Sequence, residues 1–159
     1  MDEVSSRLRL RFAKRGDLRL VSHHDLMRCL ERVLRQSALP VAQSQGFNPR
    51  PKLSFPLALA LGIEGCREVL ELELTHPLTP ETVLGRLADV APPGLEFLEA
   101  VPAPGRSSRV ESVEYCFPLP DDRRESAAQA LTALLERPSC PYVRRKPDRD
   151  VALDLRPSV

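Results

Sequence analysis

The feature that most restricts the fold of this chain is its order of hydrophobic patterns, in which the two-residue alternation of a strand is followed by the spacing of a helix. "RLRLRF" (7–12) alternates arginine with leucine or phenylalanine, which is the pattern of a strand with one buried face. A helix is predicted over 23–38, where leucines and valine recur at helical spacing until Pro40 ends the element. The chain therefore begins with a strand and then a helix.

The strand and helix periods continue in the same way up to residue 101. "KLSFPLALAL" (52–61) predicts a strand that Pro56 breaks or restricts to the edge of a sheet, and "REVLELELTH" (67–76) predicts another. Thr79 is a helix cap for 78–90, and "PPGLEFLEAV" (92–101) supplies a helix stop and a further strand. The resulting β-α-β-β-α-β order predicts an α+β fold of the ferredoxin-like, split β-α-β type.

The remainder of the chain predicts a second, incomplete copy of this order. We expect a ferredoxin-like domain over 1–101, a linker over 102–109, and a second partial ferredoxin-like unit with β-α-β-β order over 110–159. The predicted elements of the second unit are a strand at 110–119, a helix at 122–137 and strands at 140–146 and 150–158.

Charge is divided unevenly along the chain, although the net charge is only +1. Residues 1–67 hold 12 Lys/Arg against 6 Asp/Glu, whereas residues 68–105 hold 1 against 7. Solubility alone would not require such segregation, so the basic first part predicts a polyanionic partner. An aromatic fraction of 4% and the absence of tryptophan leave few rings on which nucleic-acid bases could stack.

The arginines of the first strand alternate with its buried residues. In a ferredoxin-like sheet both helices cover one face, so Arg7, Arg9 and Arg11 are expected on the open face, about 6.6 Å apart. That spacing is comparable to the separation of successive phosphates along a nucleic-acid strand. The alternative is a solvated face, or one that pairs with Glu71 and Glu73 of the acidic strand.

The first helix combines a capping motif with a cationic stripe. Ser22 is predicted to be the N-cap, with Asp25 three residues later as the partner of a capping box. The side opposite the leucines carries a stripe at helical spacing, made of His24, Arg28, Arg32 and Arg35.

A loop rich in donors and restricted residues, "SQGFNPRPK" (44–52), follows this helix. Gly46 permits a positive φ, and Pro49 restricts the backbone. Hydrogen-bond donors come from Asn48, Arg50 and Lys52. The combination predicts a phosphate or base contact, and the alternative is a structural turn plugged by Phe47.

His23 and Asp25 invite an acid–base interpretation, but side chains at i and i+2 of a helix point about 200° apart and cannot share a proton. No catalytic residue is therefore predicted, with His23 as the candidate if the protein is a metal-independent ribonuclease. The widely spaced cysteines form no metal motif, and no Gly-rich phosphate loop or nucleophile elbow occurs. We expect no metal, no cofactor, no membrane span and a cytoplasmic location.

The stretches "LVSHHDLMRCLERVLRQSALPVAQSQGFNPRPKLSF" and "LALGIEGCREVLELEL" resemble the radical-SAM-linked family of bacterial proteins. In that family a Ser-His-x-Asp helix start and helix arginines precede a Ser-x-Gly-Phe-Asn-Pro loop and a Leu-Gly turn. These features fall on Ser22, His23, Asp25, Arg28, Arg32, Ser44, Gly46, Phe47, Asn48, Pro49, Leu61, Gly62 and Glu68. The resemblance implies a radical SAM enzyme as partner and, through the family's gene neighbours, an RNA setting. The chain itself lacks the CxxxCxxC motif of a radical SAM enzyme.

The sequence therefore predicts an accessory module, not catalytic on its own, that binds RNA or presents a substrate to a radical SAM enzyme. Phosphates would be held by Arg7, Arg9, Arg11, Arg28, Arg32, Arg50 and Lys52. A base or sugar would be contacted by His23 and Asn48. The alternatives are the ribonuclease that uses His23 and a protein-binding adaptor whose acidic strand docks a basic partner.

Overall fold

A computed structural model of the protein describes residues 6–103, 109–155 and 157. The chain divides into two compact units, Met1–Ser112 and Val113–Val159. The first unit contains β1 (Ser6–Lys14), α1 (His23–Gln36), β2 (Leu53–Ser54), β3 (Gly65–Leu74), α2 (Pro80–Ala88) and β4 (Leu95–Pro102). A short 3-10 helix, Gly16–Leu20, connects β1 to α1.

The strands of the first unit form one four-stranded sheet in the order β2-β3-β1-β4. Every neighbouring pair is antiparallel. β2 and β3 are joined directly, whereas β1 lies between β3 and β4 because each helix carries the chain across the sheet. This is the ferredoxin-like arrangement of an α+β fold, as the sequence predicts.

One face of the sheet and the two helices enclose the hydrophobic core. The alternation of β1 buries Leu8, Leu10 and Phe12, and the in-phase leucines of β3 lie beside them. The helices contribute Leu26, Leu30, Val33 and Leu34 from α1 and Val83 and Leu87 from α2. Each fully buried side chain of this size stabilises the fold by about 1.5–3 kcal/mol, so this core fixes both helices on one face. The arginines of β1 consequently lie on the other face.

Both helices of the first unit begin at the predicted caps. The Ser22 hydroxyl accepts a hydrogen bond from the Asp25 backbone N–H at 3.2 Å and donates to the Asp25 carboxylate at 2.7 Å. The Thr79 hydroxyl accepts from the Thr82 backbone N–H at 3.3 Å. These bonds satisfy N–H groups that have no partner within the helix.

The strand predicted over 52–61 lies at the sheet edge and is broken before Pro56, as predicted, but it is shorter than 52–61 because only Leu53 and Ser54 pair with β3. Pro56 follows at once and has no backbone N–H to donate to a ladder. Residues 55–64 instead form turns, which include Gly62 at a positive φ of 86°. The edge of the sheet next to β3 is therefore short.

The second unit contains α3 (Asp121–Glu136) and a hairpin of β5 (Pro141–Arg145) and β6 (Asp150–Asp154). The predicted helix and the last two strands are confirmed, but the predicted strand at 110–119 is wrong. Residues 109–120 form no strand, and Phe117 is 75% exposed, so this segment has neither a ladder partner nor a buried face. Most of the predicted linker, residues 104–108, lies outside the described residues.

Candidate functional site

Two of the arginines on the open face of the sheet share one buried carboxylate. The register of β1 and β3 sets Arg9 opposite Glu71. The guanidinium groups of Arg7 and Arg9 each approach a Glu71 carboxylate oxygen at 3.4 Å. The Glu71 side chain is 1% exposed, and those of Arg7 and Arg9 are 29% and 27% exposed. Their positive charge is therefore compensated inside the protein, in agreement with the alternative in which the arginines of β1 pair with the acidic strand.

The other cations of the sheet also lie against carboxylates. Arg11 is 3.2 Å from the carboxylate of Glu99 on β4, and Arg67 is 3.7 Å from the same group. The Lys52 ammonium donates to Glu73 at 3.2 Å. Glu73 therefore pairs with Lys52 of the loop, although the register sets it opposite Arg7, and Glu71 pairs with Arg7 and Arg9 of β1.

A cavity of about 390 Å³ opens on this part of the sheet. It is lined by Arg7 and Lys52 together with Glu71 and Glu73. The sheet thus brings two of the predicted phosphate ligands together, but it brings their carboxylates to the same place. Such a surface has little net attraction for a polyanion.

The arginines of α1 differ in their compensation. Arg28 lies 3.5 Å from Asp25, three residues earlier on the helix. Arg32 and Arg35 are exposed, and neither has an ion-pair partner within the part of the chain that the structure describes. Burial raises the pKa of the neighbouring Cys29 thiol, and the charge of Arg32 opposes that rise. The positive charge of α1 is therefore concentrated towards its C-terminal half.

The loop after α1 is closed at its base by backbone hydrogen bonds. The Ser44 N–H donates to the Arg50 carbonyl at 2.7 Å, and the Arg50 N–H donates to the Ser44 hydroxyl at 3.0 Å. Further from the loop tip, the Lys52 N–H donates to the Ala42 carbonyl at 2.7 Å. Gly46 takes a positive φ of 135° within the loop, as predicted from its residue type.

Phe47 lies at the tip of this loop and is fully exposed, at 106%. The alternative in which Phe47 plugs a structural turn is therefore wrong. Asn48, Pro49 and Arg50 are exposed as well. The loop presents a ring, an amide and a guanidinium group to the solvent within four consecutive residues.

A second cavity, of about 490 Å³, separates α1 from the base of this loop, and we call it the α1–loop groove. Leu34, Leu39 and Val41 provide its apolar side. Its polar lining consists of Glu31, Arg35, Gln43 and Arg50, and Pro49 and Pro51 complete it. Arg35 and Arg50, from two separate elements, therefore face the same space.

Arg35 belongs to the predicted cationic stripe of α1 but not to the predicted phosphate ligands. The signal that could have selected it is its position in the last turn of the helix, next to the point where the chain returns as the loop. Arg28, which was selected, lies in the first half of α1 and does not line the groove.

His23 lies against the aromatic part of the core. Its ring centroid is 5.2 Å from that of Phe55 in an edge-to-face contact, and Phe55 in turn contacts Phe12 at 6.2 Å. The Asp25 carboxylate is engaged by Ser22 and Arg28. Among the described residues no carboxylate lies within ion-pair distance of His23, so the geometry favours a packing role at the start of α1.

Lys14 and Glu68 form a charged site that the sequence analysis missed. Lys14 is in phase with Leu10 and Phe12 and is 1% exposed, and its ammonium donates to the Val21 carbonyl at 3.3 Å. Burial lowers the pKa of Lys14, and the charge of Glu68 opposes that change. Burial also raises the pKa of Glu68, against the opposing charge of Lys14. The sequence signal for this buried charge is that Lys14 continues the two-residue alternation of Leu10 and Phe12 on the buried face of β1.

The described residues contain neither a candidate metal cluster nor a membrane-spanning helix. No group of three or more His, Cys, Asp or Glu side chains is placed to hold a metal ion. No helix in the described part is long and apolar enough to cross a membrane.

The first unit is thus an α+β domain of ferredoxin-like arrangement with a groove between α1 and the loop that follows it. The chain belongs to the DUF2344 family, described as "Uncharacterized protein conserved in bacteria", whose sequence model matches residues 7–159. No curated protein and no solved structure matches the chain.

Proposed function

We propose that the protein is an RNA-binding or substrate-presenting accessory module for a radical SAM enzyme, and that RNA binds in the α1–loop groove. The observation that carries the proposal is that Arg35 and Arg50 line one groove, while neither has an ion-pair partner among the described residues. The radical SAM partner rests on the family resemblance of the helix and loop motifs.

The groove has the chemical composition that a nucleotide requires. Two guanidinium groups can donate paired hydrogen bonds to phosphate oxygens. Leu34, Leu39 and Val41 line the groove but are at most 9% exposed, so the polar residues supply most of what a nucleotide could contact. The exposed amide of Asn48, in the adjoining loop, can donate to or accept from a base edge.

The predicted phosphate ligands do not contribute equally to this proposal. Arg32 and Arg50 remain strong candidates because they are exposed and uncompensated among the described residues. Arg7, Arg9, Arg11 and Lys52 each lie against a carboxylate, so a phosphate would have to displace an ion pair to reach them. We expect these four to add little affinity.

Binding is tested with a labelled single-stranded RNA over a range of salt concentrations. For single strands, log affinity falls with log salt by about 0.7 for each phosphate contact. The variant Arg35→Ala/Arg50→Ala should bind several-fold more weakly, and its salt dependence should be shallower by about 0.7 for each arginine removed. Arg28→Ala, on the same helix but outside the groove, is the matched control and should keep the wild-type slope.

Two results would overturn the proposal. Wild-type slope and affinity in the double variant would show that the groove is not the RNA site. Failure of wild type to retain RNA at low salt would exclude RNA as the ligand and favour the adaptor. The same assay reports cleavage, and cleavage abolished in His23→Ala would favour the ribonuclease.

The radical SAM partner requires a separate experiment. We expect cross-linking of the protein in bacterial cells, followed by mass spectrometry, to recover an enzyme with a CxxxCxxC motif. A set of cross-linked proteins without such an enzyme would contradict this part of the proposal and leave RNA binding untouched.

A further inference from the structure

We infer that Phe47 is a stacking platform for one unpaired base, so that the protein binds single-stranded RNA more tightly than a duplex. This inference rests on the proposed function and narrows its substrate class. It depends on the exposure of Phe47, on the closed base of its loop and on the two arginines of the groove that this loop lines.

Phe47 is an exception among the phenylalanines of its unit. Phe12 lies in ring contacts with Phe55 and Phe97, at centroid distances of 6.2 and 6.4 Å. Phe47 is fully exposed, although burial of a ring of this size is strongly favourable in water. The hydrogen bonds between Ser44 and Arg50 close the loop and direct its tip away from the core. Within the first unit Phe47 is thus the phenylalanine that packing does not explain.

The surroundings of Phe47 select the kind of partner. Arg50 is three residues along the loop, and it shares the groove with Arg35. Glu31 is the one carboxylate among the residues described as lining the groove. An aromatic ring at the tip of the loop whose Pro49 and Arg50 line the groove matches a base with its flanking phosphates, whereas a purely apolar protein pocket would leave the charges of Arg35 and Arg50 desolvated.

The geometry of nucleic acids then distinguishes single strands from duplexes. A base can stack on a side chain only when its face is not covered by neighbouring bases, as in single strands, loops and bulges. A duplex presents phosphates to the arginines but no base face to Phe47. The low aromatic content excludes a platform of many rings, but one ring is sufficient for one base.

The chain contains no tryptophan, so Phe47→Trp introduces a single fluorescent reporter at the loop tip. The probes are a short labelled RNA strand and the same strand annealed to its complement. Binding is followed by anisotropy of the label, and stacking by quenching of the tryptophan emission. Phe117→Trp, at an exposed position in the second unit, is the matched control.

We expect the single strand to quench the emission of the Phe47→Trp variant at the concentrations at which anisotropy reports binding. The emission of the Phe117→Trp variant should stay unchanged at the same concentrations. Phe47→Ala should weaken single-strand binding roughly tenfold or more and leave duplex binding unchanged. Phe117→Ala should bind as wild type does.

Saturating single-stranded RNA without quenching, or equal losses for strand and duplex in Phe47→Ala, would overturn the inference while RNA binding stood. The first of these results would leave the ring available for a protein partner. An absence of RNA binding by anisotropy in wild type would overturn the proposed function, and the inference with it.

Discussion

Arg9 on β1 and Arg50 in the loop after α1 are both cationic residues of the first unit, but their charges are in different situations. The Arg9 guanidinium is 3.4 Å from Glu71, whose side chain is 1% exposed. Arg50 is exposed and has no ion pair among the described residues. The comparison teaches that arginine content alone does not locate a polyanion site. Compensation by carboxylates across the register of the sheet decides which arginines are available.

The largest expected loss of folding stability comes from replacing Glu71, the carboxylate that pairs with Arg7 and Arg9. Glu71→Gln removes the carboxylate that Arg7 and Arg9 share and should lower the free energy of unfolding by about 2 kcal/mol, since water can still solvate both arginines. Urea denaturation measures the loss. Glu99→Gln is the control, because its carboxylate is 45% exposed and its pairs should contribute less than about 1 kcal/mol.

The same variant can break the comparison. In the Arg35→Ala/Arg50→Ala background, Glu71→Gln leaves Arg7 and Arg9 without their shared carboxylate, so part of the RNA affinity should return. The salt titration described above measures it. If the RNA affinity stays at the level of the double variant, ion pairing with Glu71 is not the reason why the arginines of β1 contribute less to RNA binding than Arg35 and Arg50.

A smaller effect is expected at Lys14, whose charge is buried instead of paired at the surface. Because burial lowers its pKa in the folded protein, the unfolded chain binds more protons between that lowered pKa and the ordinary value of 10.5. This residue's contribution to stability therefore rises with pH across that window. The difference in unfolding free energy between wild type and Lys14→Met should move in favour of wild type as pH increases.

Denaturation of both proteins at a series of alkaline pH values tests this expectation. Two stability curves that stay parallel up to 10.5 would contradict it. Arg9→Met, which removes a cation from β1 but leaves the buried ammonium of Lys14 in place, serves as the control and should show no such divergence.

The smallest effect is expected at Arg28, which pairs on the surface of α1 with Asp25. Arg28→Ala should change the free energy of unfolding by no more than about 0.5 kcal/mol, because exposed pairs of this spacing are screened by water. Thermal or urea denaturation measures it. A loss comparable to that of Glu71→Gln would remove the distinction between buried and exposed compensation.

The fold could be predicted to the extent that hydrophobic period and caps determine it. The alternation of β1, the spacing of Leu26 and Leu30, and the cap at Ser22 all lead to elements that the structure contains. The long strand at 52–61 and the strand at 110–119 could not be judged correctly, because a strand also needs a partner ladder. Apolar composition alone does not reveal whether that partner exists.

The site was less predictable because it depends on distances between elements. The sequence allowed Arg7 and Arg9 to face either phosphate or glutamate, and only the structure shows that both guanidinium groups lie 3.4 Å from Glu71. Arg35 could not be joined to Arg50 without knowing how the loop returns to the helix. The exposure of Phe47 contradicts the usual preference of phenylalanine for the interior, so residue type pointed to the wrong state.

The closed base of the loop has a consequence for the kinetics of any encounter at its tip. With Ser44 and Arg50 already joined, the conformational entropy of the intervening residues is lost when the domain folds, and not when a ligand arrives. The tip is preorganised, so association there should be limited by diffusion and electrostatic steering. Replacing the Ser44 hydroxyl would then slow and weaken the capture of a ligand without removing any group that touches it.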